Sequence, residues 1–171
     1  MKKNLYFIYG LMILTLASSC QESEPQTETP PGTPTGVYLS HSACQTRKAG
    51  SLSEDNSKEC LVFTYRPDVK VLELTHKNAG FNCCPDSIYC DFDFSGDTLI
   101  ISETEESALC NCLCLFDLTL RLENVAPNNW FIQVQEPYLE PTEYLQGAID
   151  LNEQPEGELC ATRDNYPWGN Y

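Results

Sequence analysis

Along its second half the chain alternates apolar and polar positions. From Cys110 to Leu122 the even positions are Cys110, Cys112, Cys114, Phe116, Leu118, Leu120 and Leu122, while the odd ones include Asn111, Asp117, Thr119 and Arg121. A period of two belongs to a β-strand with one buried face, on which residues i, i+2 and i+4 stand in a row. The pattern predicts a central strand over 110–122 whose buried row starts with three sulfurs and then turns aliphatic. Similar runs predict strands at Val37–Leu39, Leu61–Tyr65 (ended by Pro67), Val69–His76, Ile88–Phe94, Leu99–Glu103 and Trp130–Gln135, with Tyr144–Leu151 a strand or short helix. Ser95-Gly96-Asp97 predicts a hairpin between Ile88–Phe94 and Leu99–Glu103, and A-P-N-N at 126–129 a second between the cysteine strand and Trp130–Gln135. Thr46–Lys58 reads as a long polar loop and Thr104–Ala108 as an acidic one. No stretch sustains a 3.6-residue apolar stripe. The expectation is therefore an all-β fold, a single β-sandwich (immunoglobulin-like or related) of about seven to eight strands over residues 37–171.

The first 36 residues lack this alternation. Lys2 and Lys3, an apolar run from Leu5 to Leu16, and small Ala17, Ser18 and Ser19 lead to Cys20, the layout of a secretory signal peptide. The run is too short for a comfortable membrane span. L-A-S-S-C resembles the bacterial lipoprotein box. That resemblance implies a signal peptide over 1–19, cleavage before Cys20, and lipidation of Cys20 with a diacylglyceryl group and a palmitate-type amide. Several acyl chains anchor a protein stably where one would not. Gln21–Gly36 holds four prolines, four threonines and three glutamates but no large apolar side chain. It reads as a disordered tether of at most about 50 Å, so residues 20–36 form the lipidated linker to the domain. Its Q-E-S-E start is similar to the acidic signal that sends lipoproteins of Bacteroidota to the outer face of the outer membrane. That similarity favours the cell surface over the periplasmic side.

Beyond Cys20 there are nine cysteines: Cys44, Cys60, Cys83, Cys84, Cys90, Cys110, Cys112, Cys114 and Cys160. In an exported chain they are disulfide candidates, and an odd number leaves at least one unpaired. Residues i and i+2 of a strand are too far apart to bridge readily, so Cys110, Cys112 and Cys114 should each reach an adjacent strand or loop. Cys83, Cys84 and Cys90 are their natural partners. Cys44 with Cys60, and Cys160 with the remainder, would then tie the ends, although connectivity is not fixed by sequence. The alternative is a metal or thiol-redox site in which His76, Cys83, Cys84, Cys110, Cys112 and Cys114 converge on Zn or Cu(I). The spacing lacks the C-x-x-C knuckle, and an exported thiol meets oxidants first, so disulfides are preferred and no cofactor is expected.

Charge narrows the partners. The net charge is −15, or −17 once Lys2 and Lys3 leave with the signal, which disfavours a nucleic-acid partner, since the eight remaining Lys and Arg are far outnumbered by 25 acidic residues that repel phosphates. Asp91-Phe-Asp93-Phe-Ser95-Gly96-Asp97 matches the first half of a calcium loop, but Ser102 stands where the twelfth-position glutamate belongs, and a strand followed by a turn explains the same letters. His41 and His76 lie in no hydrolase or zincin motif, and there is no nucleophile elbow or phosphate loop. Glu105 and Glu106 have the residue type for glycosidase chemistry, yet carboxylates are abundant here and a solvated loop accounts for them. Tyr166, Trp168 and Tyr171 near the C-terminus form either a stacking platform for a sugar or peptide or a tail that caps the sheet.

N-A-G-F-N-C-C-P (78–85), C-N-C-L-C-L-F-D (110–117), Q-E-P-Y (135–138) and R-D-N-Y-P-W-G (163–169) resemble a group of small cysteine-rich lipoproteins of Bacteroidota. The resemblance spans Leu61–Gly169 and implies export and lipidation. It imports no activity, because none is known for the group. The expectation is a lipid-anchored binding or structural module of the bacterial outer membrane, more a binder than an enzyme, with a glycan or protein as its ligand. A metal or thiol-redox protein is the second expectation, and a glycan-acting enzyme the third.

Overall fold

A computed structural model describes residues 32–45, 57–106 and 110–163. Cys20, most of the tether, most of the Thr46–Lys58 loop, and Tyr166, Trp168 and Tyr171 lie outside the described residues. Among the described residues the chain forms nine strands and no helix: β1 (Thr35–His41), β2 (Lys58–Arg66), β3 (Val71–Asn82), β4 (Ser87–Ser95), β5 (Thr98–Glu106), β6 (Leu113–Glu123), β7 (Asn129–Gln135), β8 (Leu145–Asp150) and β9 (Glu156–Thr162). They build a five-stranded sheet, β1-β6-β3-β2-β9, and a four-stranded sheet, β4-β5-β7-β8, packed as a β-sandwich. The all-β sandwich read from the alternation is the fold, with β9 an added strand and Tyr144–Leu151 resolved as β8.

The inward rows follow that alternation. Leu61, Phe63 and Tyr65 of β2, Leu118, Leu120 and Leu122 of β6, Leu99 and Ile101 of β5, and Trp130, Ile132 and Val134 of β7 interlock in one core. Gly36 of β1 lies so close to β4 that an added Cβ would stand 2.2 Å from the Phe92 ring. The β4–β5 hairpin forms as expected, closed at Gly96 with φ +59°. The second expected hairpin does not form. β6 crosses to the opposite sheet, so β7 returns beside β5 and pairs with it in parallel, Thr98 opposite Phe131.

Two further expectations are corrected. Thr104–Glu106 continue β5 instead of forming a loop. The cysteine strand starts only at Leu113, and of the three sulfurs expected on its buried row Cys114 alone is buried, Cys110 and Cys112 being exposed. The segment before β6 is held at the end of β3 by cystines and by a bond from the Cys83 amide to the Cys112 carbonyl (3.1 Å), so it needs no buried face.

Strand β3 runs past His76 to Asn82 through a bulge. Asn78 adopts a positive φ of 62°, its amide donates to Asp117 Oδ1 (3.0 Å), and its side chain donates to the Lys58 carbonyl (2.7 Å). One extra residue shifts the inward phase from His76 to Ala79 and Phe81.

Candidate functional site

Five inward rows end in charged residues at the same end of the sandwich. Glu59 precedes Leu61 and Phe63 on β2, His76 follows Leu72 and Leu74 on β3, and Glu103 follows Leu99 and Ile101 on β5. Glu136 continues Trp130, Ile132 and Val134 beyond β7, and Arg163 continues Leu159 and Ala161 beyond β9. Because the strand period is two, each side chain enters the interior. Glu59, His76, Glu103 and Glu136 are 0%, 0%, 2% and 3% exposed, too little for solvent to satisfy them.

The imidazole of His76 is the hub. Its Nδ1 lies 2.8 Å from Glu103 Oε1, its Nε2 3.1 Å from Glu59 Oε1 and 3.6 Å from Glu136 Oε1. The other Glu59 oxygen accepts from Arg163 Nε at 2.5 Å and also from Arg163 Nη2, while Nη1 donates to the Glu143 carbonyl (2.6 Å). Glu136 Oε1 accepts the Gly80 amide at 3.2 Å. The second oxygen of Glu103 is buried and meets no donor among the described residues.

Burial pulls the His76 pKa down, but the Glu103, Glu59 and Glu136 carboxylates outweigh it and hold the imidazole well above its ordinary 6.5. Burial and the Glu59 charge push Glu136 well above its ordinary 4.5, against the opposing pull of His76 and the Gly80 amide. The atoms of Glu59, His76 and Glu136 that face each other lie within 4.8 Å of one another, close enough to share a proton or a small cation.

The cysteines form four cystines, Cys44–Cys114, Cys60–Cys160, Cys83–Cys112 and Cys84–Cys110. Cys83 and Cys84 do partner the 110–112 segment, whereas Cys44 bridges Cys114 and Cys60 bridges Cys160 directly across the β2–β9 ladder. Among the described residues Cys90 is the unpaired thiol, so it does not partner the cysteine strand as expected. Burial, then Glu103 and Asp91, raise its pKa strongly, so it is a poor nucleophile. His76 turns to the carboxylates, and Cys83, Cys84, Cys110, Cys112 and Cys114 are oxidised, so the alternative His–Cys metal set is not assembled here.

Glu105 and Glu106 are neighbours on β5 and point to opposite faces, unlike a facing catalytic pair. Glu105 accepts from the Asn82 amide (2.8 Å) and from Tyr138 Oη, and Glu106 accepts from Tyr89 Oη (2.8 Å). Asp91 and Asp93 lie on the exposed face of β4, and Asp97 Oδ1 accepts from Asn128 in the turn, so these residues form a strand and hairpin. His41 Nδ1 lies 2.6 Å from the Ser42 carbonyl and packs edge-on against Phe116.

The outer face of the smaller sheet is a second candidate surface. Gln133 sits 2.7 Å from the Gln146 carboxamide, Gln135 reaches Gln133 at 2.8 Å, and Ser102 reaches Gln135 at 3.3 Å. Exposed Tyr89 and Phe131 stand on the same face as this row of amides and hydroxyl. Glu59, Glu103, Glu136 and Arg163 escaped the sequence reading, although their signal was present: each occupies the next inward position of an apolar alternating row. Against protein-family models, curated proteins and solved structures, the chain finds no match.

Proposed function

We propose that the chain is a lipid-anchored protein of the bacterial outer membrane whose disulfide-stapled sandwich serves as a binding or structural module at the cell envelope. The observation that carries this is the pairing of eight of the nine cysteines beyond Cys20 into four cystines. Such crosslinks persist in oxidising compartments, which is where an L-A-S-S-C leader would deliver the chain. Cys20 carries the lipid, and the Q-E-S-E start after it favours the outer face of the membrane. The amide row with Tyr89 and Phe131 supplies hydrogen-bonding groups and aromatic faces suited to a glycan or a protein loop.

Detergent partitioning of cells expressing the wild type and Cys20→Ala tests this. The wild type should enter the detergent phase and the variant should stay aqueous or unprocessed; a variant that still partitions with membranes refutes the anchor. A second reading, a metal or thiol-redox protein, rests on one observation: the sulfurs of Cys83, Cys84 and Cys110 lie within 4.8 Å of each other. It requires these cysteines to be reduced in the mature protein, which alkylation before and after reduction measures.

A further inference from the structure

We propose that Glu59, His76 and Glu136 form a buried site for one divalent cation of the zinc class, with Glu103 and Arg163 positioning the ligands. Three observations converge, and none depends on the lipid anchor. The first is spacing. Zinc holds imidazole nitrogen and carboxylate oxygen at about 2.0–2.2 Å, so ligand atoms at the corners of a tetrahedron stand roughly 3.4 Å apart. His76 Nε2 lies 3.1 Å from Glu59 Oε1 and 3.6 Å from Glu136 Oε1, which brackets that edge.

The second is the outer ring of partners. Metal-binding histidines usually pass their other ring N–H to a carboxylate, which fixes the tautomer and raises the basicity of the ligating nitrogen. Glu103 Oε1, 2.8 Å from His76 Nδ1, stands in that position. Arg163 holds the Glu59 oxygen that faces away from His76, and the Gly80 amide fixes Glu136.

The third is charge. Three buried carboxylates against one guanidinium leave a deficit of two positive charges when the imidazole is neutral, and the buried Glu103 oxygen with no donor marks the surplus of acceptors. Buried charge of one sign is expensive unless paired or bound to metal. One divalent ion supplies the missing charge; uptake of two protons is the rival way to do so.

The experiment separates the two. The full-length mature protein, kept oxidised, extracted in detergent and purified without chelator, is assayed for metal, stripped, and titrated with zinc and with cobalt(II). About one zinc per chain, a rise in Tm of several degrees on adding zinc back, and a cobalt spectrum of four- or five-coordinate nitrogen–oxygen type are expected. Glu136→Gln keeps the side-chain shape and should weaken zinc binding at least 10-fold, and Glu103→Gln should weaken it about 10-fold through the histidine. His76→Ala is informative only if it folds, so the two glutamine variants decide. The proposal is overturned if the stripped protein shows no zinc-dependent shift, if Glu136→Gln binds like the wild type, or if cobalt gives a thiolate charge-transfer band that puts the ion on cysteine.

Discussion

Replacing both Cys60 and Cys160 with alanine isolates the stabilisation of one crosslink. The two residues are directly opposed in the β2–β9 ladder and lie 100 residues apart in sequence. In the unfolded chain the Cys44–Cys114 cystine provides a shortcut, so the bridge closes a loop of roughly 60 residues, for which loop entropy gives ~4 kcal/mol. The ladder from Lys58–Thr162 to Thr64–Glu156 remains, so the variant should keep its fold and lose stability through a freer unfolded chain. Against a net stability of about 5–15 kcal/mol that is a large fraction, and at ~3–5 °C per kcal/mol it lowers Tm by about 12–20 °C. Guanidinium unfolding followed by tryptophan fluorescence in oxidising buffer measures it, Trp130 being buried in the core. The control Cys90→Ala removes no crosslink and should cost about 1 kcal/mol or less. A loss below about 1 kcal/mol for the double variant would refute the claim that this cystine closes a loop of that size.

Two other outcomes are expected. In chelated protein, Glu136 and His76 keep protons that the unfolded chain releases above 4.5 and 6.5, so the stability they provide is complete below those values and falls as pH rises towards their folded pKa values. Glu136→Gln should remove its share of that slope, up to about 1.4 kcal/mol per pH unit, in urea titrations at pH 5.5 and 7.5; an unchanged slope would show that Glu136 is ionised in the fold. Millimolar calcium should leave the contribution of Asp91 to Tm unaltered, because Asp91 is a strand residue, and a gain of several degrees abolished by Asp91→Asn would restore the calcium loop.

Alternation made most of the sandwich legible, because a strand with one dry face must repeat every second residue. It failed where that rule is broken or weakly expressed. Asn78 inserts an extra residue into β3, so the row that stops at His76 resumes out of phase at Ala79, and the sequence showed an end where the strand continues. In β9 the inward row is only Gly157, Leu159 and Ala161 against outward Glu156 and Glu158, too thin a stripe to announce a strand. Pairing partners were harder still, since β7 alternates identically whether it folds back on β6 or crosses to β5. Among the site residues, His76 and the cysteines drew attention as rare residue types. The buried glutamates hid among 25 acidic residues, and only their phase with Leu61, Ile101 and Val134 distinguished them.

The most direct test of an exported, cystine-locked, lipid-anchored domain is thiol counting on protein extracted from membranes, unfolded under non-reducing conditions, alkylated and digested for mass spectrometry. The expected result is a single alkylated cysteine at Cys90, four linked peptide pairs joining 44 to 114, 60 to 160, 83 to 112 and 84 to 110, and an N-terminal peptide that begins at acylated Cys20. Alkylation of Cys83, Cys84, Cys110 and Cys112 together, or an unmodified Cys20 thiol, would contradict it.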